Sequence, residues 1–572
     1  MTALDWGVLA LTIGFIVTYG VWKSRSVRTV DEYLRGGNTL KWPTIGLSIM
    51  ATQASAITFL STPGQAFDDG MRFVQFYFGL PLAMIVISAV FVPIYYRLKV
   101  YTAYEYLEHR FDHRVRYLGA VLFLIQRGLA AGITIYAPSI ILSAVMGWDL
   151  EWVILFTGLV VIAYTVSGGT QAVSQTQKQQ MVVMMGGMAV AAAVIVWRLP
   201  DTVSIPSAVG LAGVLDRMNV VSFDLDMNSR YNFWSGITGG FFLALSYFGT
   251  DQSQVQRYLS GRSVAESRLG LIFNGLFKVP MQFFILFIGV LVFVFYLFTQ
   301  PPLFFNQPAL DRAAATEHGP ALQELHGRYD TAFALQRSAA ESWVAARGDE
   351  IHEAIARKHL LEAVSSTNEI RREAKELVAT ALPGTETKDT DYVFLTFVMN
   401  YLPQGLVGLL IAVILCAAMS STASELSALG STSTIDLYKR AFRSGAKENP
   451  RRDLLVSKGF TVLWGMVAIG FASFASLVDN LIEAVNILGS IFYGTVLGLF
   501  VVGFFLKRVG AGPVFLAALI AQSVVAFLYF ASDLGFLWFN VIGCGIVVIL
   551  SLIFQALGPK GPRPAPEPVP GV

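Results

Sequence analysis

Two adjacent hydroxyl residues inside an apolar stretch could hold a metal ion. Ser420 and Ser421 lie in the apolar segment 400–435, and Ala417 precedes them by three and four positions. In a helix this spacing puts all three residues on one face. Hard cations such as sodium take oxygen ligands, which two hydroxyls and one backbone carbonyl could supply. Because Ser and Ala also let helices pack closely, the spacing alone leaves both interpretations open.

The second apolar segment, 43–62, is unusually polar for a lipid-facing helix. From Ile49 to Thr62 it carries one glutamine and five hydroxyl residues, and Pro63 and Gly64 follow; the six polar residues are Gln53, Thr52, Ser55, Thr58, Ser61 and Thr62. Such interruptions predict an unwound segment whose free carbonyls coordinate an ion near the membrane midplane. Segment 231–250 has a comparable interruption at 236–240, followed by 246–249. Five spans separate the two segments, as expected for two inverted five-helix repeats.

Arg127 is a charged group deep inside another apolar stretch. It lies about 16 Å along the helix from Arg116, at ~1.5 Å per residue, which is near the middle of a hydrocarbon core roughly 30 Å thick. A guanidinium fork at this depth suits a carboxylate or another planar anion. Equally, Arg127 could be structural, bound to carbonyls or paired with Glu483. Gln75 and Gln126 are further candidate solute contacts.

Composition places these residues in an all-α membrane protein. The chain is 54% hydrophobic and 14% charged, whereas soluble domains carry about 25% charged residues. A net charge of +2 gives no electrostatic case for a nucleic-acid partner. We count about thirteen stretches long enough to cross a bilayer as helices, namely 4–22, 43–62, 71–97, 116–146, 150–167, 171–198, 231–250, 269–299, 400–435, 456–475, 477–506, 510–531 and 534–557.

Lys and Arg residues cluster in alternate short connections, which orients the chain. The pattern predicts a multi-pass protein of the inner (plasma) membrane, with its N-terminus outside and its C-terminus in the cytoplasm. We divide the chain into a membrane part, 1–300, an extracytoplasmic insertion, 301–390, and further spans over 391–557. The insertion should form one or two long helices and could contact another protein. The Pro-rich segment 558–572 is predicted to be a disordered cytoplasmic tail.

Several motifs resemble the sodium/solute symporter family, which includes the sodium/galactose, sodium/proline, sodium/iodide and sialic acid transporters. The matching stretches are TAYEYLEHRF (102–111), YAPSIILSAVMGWDL (136–150), SGGTQAV (167–173), GTDQSQVQRYLSG (249–261), AAMSSTASELSALGS (417–431) and FFLKRV (504–509). The resemblance implies a leucine-transporter-type fold, an inverted five-plus-five helix repeat with an extra N-terminal span. It also implies sodium-coupled import of a small polar solute, either a sugar or a carboxylate, by alternating access.

The resemblance further implies a sodium site between the broken segment and segment 400–435. Carried over to this sequence, its ligands are the carbonyls of Ala51, Ala54 and Ala417 and the hydroxyls of Ser420 and Ser421. The sequence departs from the family where an Asp usually follows Thr176, because Gln177 stands there. Ala423 likewise stands where a second-site hydroxyl is expected. We therefore expect one sodium ion per transport cycle.

Solute contacts are implied by position as well. Tyr247 matches the tyrosine that closes the site on its inner side in the sugar transporters, and Lys278 matches a lysine that contacts sugar there. The remaining candidates are Asn486, which aligns with a sugar-binding Gln, Thr58 and Tyr77, which replace other polar contacts, and Gln53 of the broken segment. The sugar pattern is thus only partly kept.

Three other functions were weighed against symport. A transporter-like sensor could report solute to a partner through the 301–390 insertion. A membrane enzyme is disfavoured, because the sequence has no catalytic triad, P-loop or HExxH motif. A sodium channel is disfavoured by a single-ion bridging site.

Overall fold

The computed structural model describes residues 1–24, 36–383, 388–442, 449–474 and 481–558, and this part of the chain is helical without named strands. Within it, nine helical stretches are long and apolar enough to cross a membrane, and three shorter ones are also apolar. The predicted all-α fold is therefore confirmed. The predicted tail falls almost wholly outside the described residues, as do 475 and 477–480 of the predicted spans.

The helices of the first half begin with α1 at the N-terminus and include a bent third span. They are α1 Ala3–Ser24, α2 Trp42–Gln53, α3 Ala56–Asp69, the 3-10 helix Gly70–Tyr77, α4 Leu80–Val86, the π-helix Ile87–Phe91, α5 Val92–Leu98, α6 Glu105–Arg110, α7 His113–Met146, α8 Leu150–Arg198, α9 Ile205–Val214, the π-helix Ser235–Gly239, α10 Gly240–Gly249, α11 Gln252–Leu259 and α12 Val264–Phe298.

The second half contains the insertion and the remaining spans. Its helices are α13 Gln307–Ala314, α14 Gly319–Ala345, α15 Glu350–Ala381, α16 Thr390–Tyr401, α17 Leu406–Thr432, the π-helix Ser433–Lys439, α18 Arg440–Phe442, α19 Pro450–Ala472, α20 Leu481–Phe505, α21 Ala511–Ala531 and α22 Leu537–Leu557. One continuous apolar core joins most of the membrane helices, with α17 almost entirely buried inside it.

The predicted interruption of the second span is present between α2 and α3. Ala54 leaves the helical region with φ −84° and ψ 77°, and Ser55 is extended. The Ser55 N–H donates to the Gln53 carbonyl rather than to Ala51. A continuous helix would bond each carbonyl to the N–H four residues later, so the break frees the carbonyls at the end of α2.

The second break lies later than the glycine pattern predicts. Residues 236–240 stay helical, and the chain instead breaks between Gly249 and Gln252. The glycines serve close packing: a Cβ at Gly236 would lie 2.1 Å from the Gln75 carbonyl oxygen, and one at Gly240 would lie 2.6 Å from that of Phe76. Their spacing therefore reflects backbone contact with the third span. Our prediction of an interruption at 236–240 is wrong in position.

Helix α8 is a continuous helical stretch of 49 residues that contains two of the predicted spans. The Tyr164 hydroxyl nevertheless lies 2.5 Å from Thr176 Oγ1. Twelve residues of straight helix would separate these positions by about 18 Å, so the chain must turn back between them. The two spans predicted at 150–167 and 171–198 are thus separate passes.

The insertion forms two long helices, α14 and α15, that pack against each other. It contacts the membrane part through Trp343 and contains ion pairs of its own. Trp343 packs against Gly210 of α9, and the Asp389 carboxylate binds Arg371 at 3.2 Å and Lys375 at 2.6 Å. The limits 301–390 remain our own division of the chain.

Candidate functional site

The broken segment meets the hydroxyl pair of α17 directly. The Ser420 hydroxyl donates to the Ala51 carbonyl at 3.1 Å, and the Ser421 hydroxyl donates to the Thr52 carbonyl at 3.1 Å. The break in the helix leaves these carbonyls available. Ala51, Ala54, Ala417, Ser420 and Ser421 are all buried, with at most 1% of each exposed. Ala51, Ser420 and Ser421 therefore meet at one buried junction, and its neutral oxygens are a set that suits a hard cation. Ala54 lies at the helix break, and Ala417 precedes Ser421 by one turn of α17.

Gln177 occupies the space beside this junction. Its side-chain amide nitrogen donates to Ser420 Oγ at 2.8 Å and lies within hydrogen-bonding distance of Ser424 Oγ, at 3.0 Å, and Thr52 Oγ1, at 3.1 Å. Its oxygen accepts a hydrogen bond from the Ser48 hydroxyl. The fully buried amide thus joins α2, α8 and α17 without adding a charge.

A cavity of about 80 Å³ opens next to the junction. Six of the predicted solute contacts line it: Gln53, Thr58, Tyr77, Arg127, Tyr247 and Asn486. Thr52, Ser55, Ile57, Phe76, Thr134, Leu243, Ser421, Glu425, Ile482, Val485 and Tyr493 complete the wall. Both helix breaks contribute, since Gln53 and Ser55 flank the first and Tyr247 lies on the turn before the second.

Arg127 is held by two carboxylates rather than by the predicted Glu483. It binds Asp251 through one terminal nitrogen and Glu425 through the other, the latter at 3.1 Å. The first nitrogen also donates to the Tyr493 hydroxyl at 2.5 Å. Glu483 instead binds Arg230 at 2.7 Å and Lys388 at 3.7 Å. Glu483, offered above as one possible partner in the structural alternative for Arg127, thus pairs elsewhere, and Asp251 and Glu425 take that place.

Three predicted solute contacts lie outside the cavity. Gln75 fastens outer connections, because its side chain donates to the Tyr231 carbonyl and accepts from the Ser222 N–H. Gln126 lies behind Tyr493, whose hydroxyl is 3.4 Å from its amide nitrogen. Lys278 is completely buried, with its ammonium 5.8 Å from the centre of the Tyr77 ring. Tyr77 therefore stands between Lys278 and the cavity.

Sequence reasoning missed three residues of this site, Asp251, Glu425 and Tyr493. Glu425 carried a usable signal, since an ionisable residue inside a membrane span needs a partner or a function, and it stands four positions after Ser421. Asp251 was hidden because it caps α11, where its carboxylate accepts from the Ser253 N–H at 2.9 Å. Tyr493 has no sequence signal that distinguishes it from other aromatic residues in the spans.

The junction and the cavity share a wall made of Thr52 and Ser421. Both residues line the cavity, and the Ser421 hydroxyl also binds the Thr52 carbonyl. A cation at the junction would hold α2 against α17 and fix this wall. A group in the cavity would then meet a surface whose shape depends on the ion.

A family model described as the Sodium:solute symporter family matches residues 33–323 and 372–521. The unmatched interval falls within α14 and α15 of the insertion. The human sodium/iodide cotransporter is 29% identical over 512 residues, which cover 88% of this chain and 66% of that protein. This chain thus spans about two thirds of that relative's length.

Two further comparisons cover more of both chains. The sodium/sialic acid symporter SiaT of Proteus mirabilis is 26% identical over 565 residues, 97% of this chain and 95% of that protein. A solved structure of a Na+-coupled sialic acid symporter in a substrate-bound, outward-open state has a TM-score of 0.75 at 24% identity. It covers 98% of this chain and 99% of that one. The likeness confirms the transporter fold that the motifs imply.

Proposed function

Because the chain belongs to the sodium:solute symporter family, we propose that it is a sodium-coupled symporter that imports a small polar solute by alternating access. The relatives named above are transporters of this kind and not enzymes. The observation that carries the proposal is the wall shared by the junction and the cavity, which gives an ion a direct route to influence solute binding.

We assign sodium to the junction of α2 and α17. Its ligands are the carbonyls of Ala51, Ala54 and Ala417 and the hydroxyls of Ser420 and Ser421. The Ser420 contact with Ala51 supports this set, since both oxygens already face each other at 3.1 Å. Rotating the hydroxyl would turn its lone pairs, rather than its proton, toward the ion.

One sodium ion per cycle agrees with the position of Gln177. A second cation beside Ser420 and Ser424 would meet the amide nitrogen, which presents hydrogens rather than an oxygen. A carboxylate at this position would offer a negatively charged ligand instead.

Transport follows from the shared wall. Sodium at the junction holds α2 and α17 together and prepares the cavity for the solute, and the occupied cavity permits the change to the inward-facing form. Because a ligand shifts a conformational equilibrium only by its difference in affinity for the two states, both ligands must bind the same arrangement of Thr52 and Ser421. Six predicted contacts, Gln53, Thr58, Tyr77, Arg127, Tyr247 and Asn486, surround the solute.

The orientation and location of the chain are part of the proposal. The Lys and Arg bias supports an outer N-terminus and a cytoplasmic C-terminus in the plasma membrane. The insertion, with α14 and α15, then lies outside the cell. Any protein partner that it contacts would meet that surface.

The test is uptake into proteoliposomes under an inward sodium gradient, with a panel of labelled sugars, amino acids and organic acids. We expect accumulation of at least one solute, which stops when potassium replaces sodium. Ser420→Ala removes a proposed ligand and should raise the sodium concentration for half-maximal uptake about tenfold. Ser431→Ala is the matched control, because that buried hydroxyl on the same helix bonds the Ala428 carbonyl.

Two results would count against the proposal. If uptake is independent of the sodium gradient for every solute in the panel, sodium-coupled symport is excluded. An unchanged sodium requirement in Ser420→Ala would remove the assigned ion site while leaving symport in place.

A further inference from the structure

We infer that Glu425 sets the class of solute: it selects molecules that donate a hydrogen bond and carry no net negative charge, such as polyols or zwitterions, over monocarboxylate anions. The inference rests on the proposed function and deepens it. It begins from the bonding of Arg127, which sequence alone favours as the anion-binding group.

Three N–H groups of the Arg127 guanidinium already bond to the protein. Its two terminal nitrogens hold Asp251, Glu425 and the Tyr493 hydroxyl. A guanidinium binds a carboxylate best through two parallel N–H groups. Each parallel pair includes the nitrogen that already donates to Asp251 and Tyr493, so a solute carboxylate could bind through two N–H groups only by displacing one of these partners. The Nε–H, which has no partner among the described residues, could take a single acceptor.

Glu425 keeps one oxygen available. Its Oε1 accepts from Arg127, whereas its Oε2 is buried with no hydrogen-bond partner in the described part of the chain. The Thr134 hydroxyl lies within reach of this carboxylate and bonds the Ala130 carbonyl at 3.0 Å. A buried acceptor without a partner is costly, and Glu425 lines the cavity. A donor on the solute, a hydroxyl or an ammonium, satisfies it.

The charges of the cluster point the same way. Arg127 contributes one positive charge, and Asp251 and Glu425 contribute two negative charges, which leaves the group at −1. The assigned sodium site lies one helical turn away, since Ser421 and Glu425 are four residues apart on α17. Sodium then balances the charge of these three side chains. An anionic group placed against the unbonded oxygen of Glu425 would meet a charge of the same sign, while a hydroxyl or the ammonium of a zwitterion would not.

The test uses the full chain in detergent, with ligand affinity read from thermal-unfolding midpoints in sodium or potassium chloride. One panel contains sugars and polyols such as galactose, a second contains zwitterions such as proline, and a third contains monocarboxylates such as lactate. The wild type should bind its best neutral or zwitterionic solute at least tenfold more tightly than any monocarboxylate. Comparing the first two panels shows whether a hydroxyl or an ammonium group of the solute donates the hydrogen bond to Glu425.

Two variants separate charge from shape. Glu425→Gln keeps the shape of the side chain and removes its charge. The ratio of the affinity for the best neutral or zwitterionic solute to that for monocarboxylates should therefore fall about tenfold. Glu425→Asp keeps the charge and should retain the preference, with weaker binding of the solute. Their unfolding midpoints without ligand show whether each variant is folded.

The outcomes distinguish this inference from the proposed function. The inference is overturned if the wild type binds a monocarboxylate most tightly. It is also overturned if the wild type binds no neutral or zwitterionic solute. An unchanged ranking in Glu425→Gln overturns it too. Sodium-driven uptake of lactate would contradict the inferred solute class but agree with symport. The expected ranking of solutes without any dependence on sodium would support the solute class but contradict symport.

Discussion

Two polar clusters lie side by side in the membrane core and differ in how completely they are bonded. Around Gln177 every partner is neutral, and the amide joins Ser48, Thr52, Ser420 and Ser424. Around Arg127 two of the three partners are charged, and two atoms lack a hydrogen bond: Arg127 Nε and Glu425 Oε2 have no partner among the described residues.

The difference indicates that the two clusters have different roles. A fully bonded neutral cluster fixes the positions of three helices and needs no ligand to complete it. A charged cluster with free atoms beside a cavity is incomplete without a ligand. We therefore expect changes near Gln177 to act on ion binding and stability, and changes near Arg127 to act on stability and solute binding.

The largest effect should come from Arg127→Gln. This variant leaves Asp251 and Glu425 buried without their counter-charge, which should cost about 3–5 kcal/mol in the free energy of unfolding. Chemical unfolding in detergent measures the loss. Uptake should fall for neutral and anionic solutes alike, because the charge pair is structural.

The control for this variant is Arg230→Gln, which removes the same kind of group from an ion pair with Glu483. Since Arg230 is 54% exposed in that pair, the cost should stay below about 1 kcal/mol. Glu483 is only 8% exposed but keeps Lys388 as a second partner. Equal losses in the two variants would contradict the contrast between a buried arginine and an exposed one.

A smaller effect is expected for Gln177→Leu. The substitution removes the partner of several buried hydroxyls, and we expect a loss of about 2 kcal/mol in the free energy of unfolding with a higher sodium requirement for uptake. Gln179→Leu, two positions away and only partly buried, is the matched control. An unaltered sodium requirement in Gln177→Leu would contradict the claim that this cluster affects sodium binding.

Tyr493→Phe should have the smallest effect of the three. It removes one hydroxyl from Arg127 and Asp251 but leaves their charges paired, so we expect a loss of about 1 kcal/mol. Tyr529→Phe, at an exposed tyrosine, should change stability by less. A loss as large as that of Arg127→Gln would mean that the hydroxyl, rather than charge pairing, holds the cluster.

Much of the fold could be predicted because membrane spans are set by local composition. The apolar stretches gave the helices, and the hydroxyl-rich segment gave the break at Ala54 and Ser55. Close packing of backbones is not local, so the glycines at 236–240 suggested a break where the structure has contact with the Gln75 and Phe76 carbonyls.

The site was predictable only in part for the same reason. Ser420 and Ser421 share a short motif, and the resemblance paired them with Ala51. The partners of Arg127 are 124 and 298 residues away along the chain, and no periodicity joins positions so far apart. Predicted contacts such as Gln75 failed to reach the cavity because a polar residue in a span can equally bond neighbouring backbone.

The most direct test of coupling is the affinity for the transported solute measured in sodium and in potassium, for the wild type and for Ser421→Ala. Coupling between two sites is reciprocal and commonly amounts to 5- to 150-fold. We predict that sodium tightens solute binding roughly tenfold or more in the wild type and by about twofold or less in Ser421→Ala. Equal solute affinity in sodium and potassium for the wild type would contradict the role of the shared Thr52–Ser421 wall.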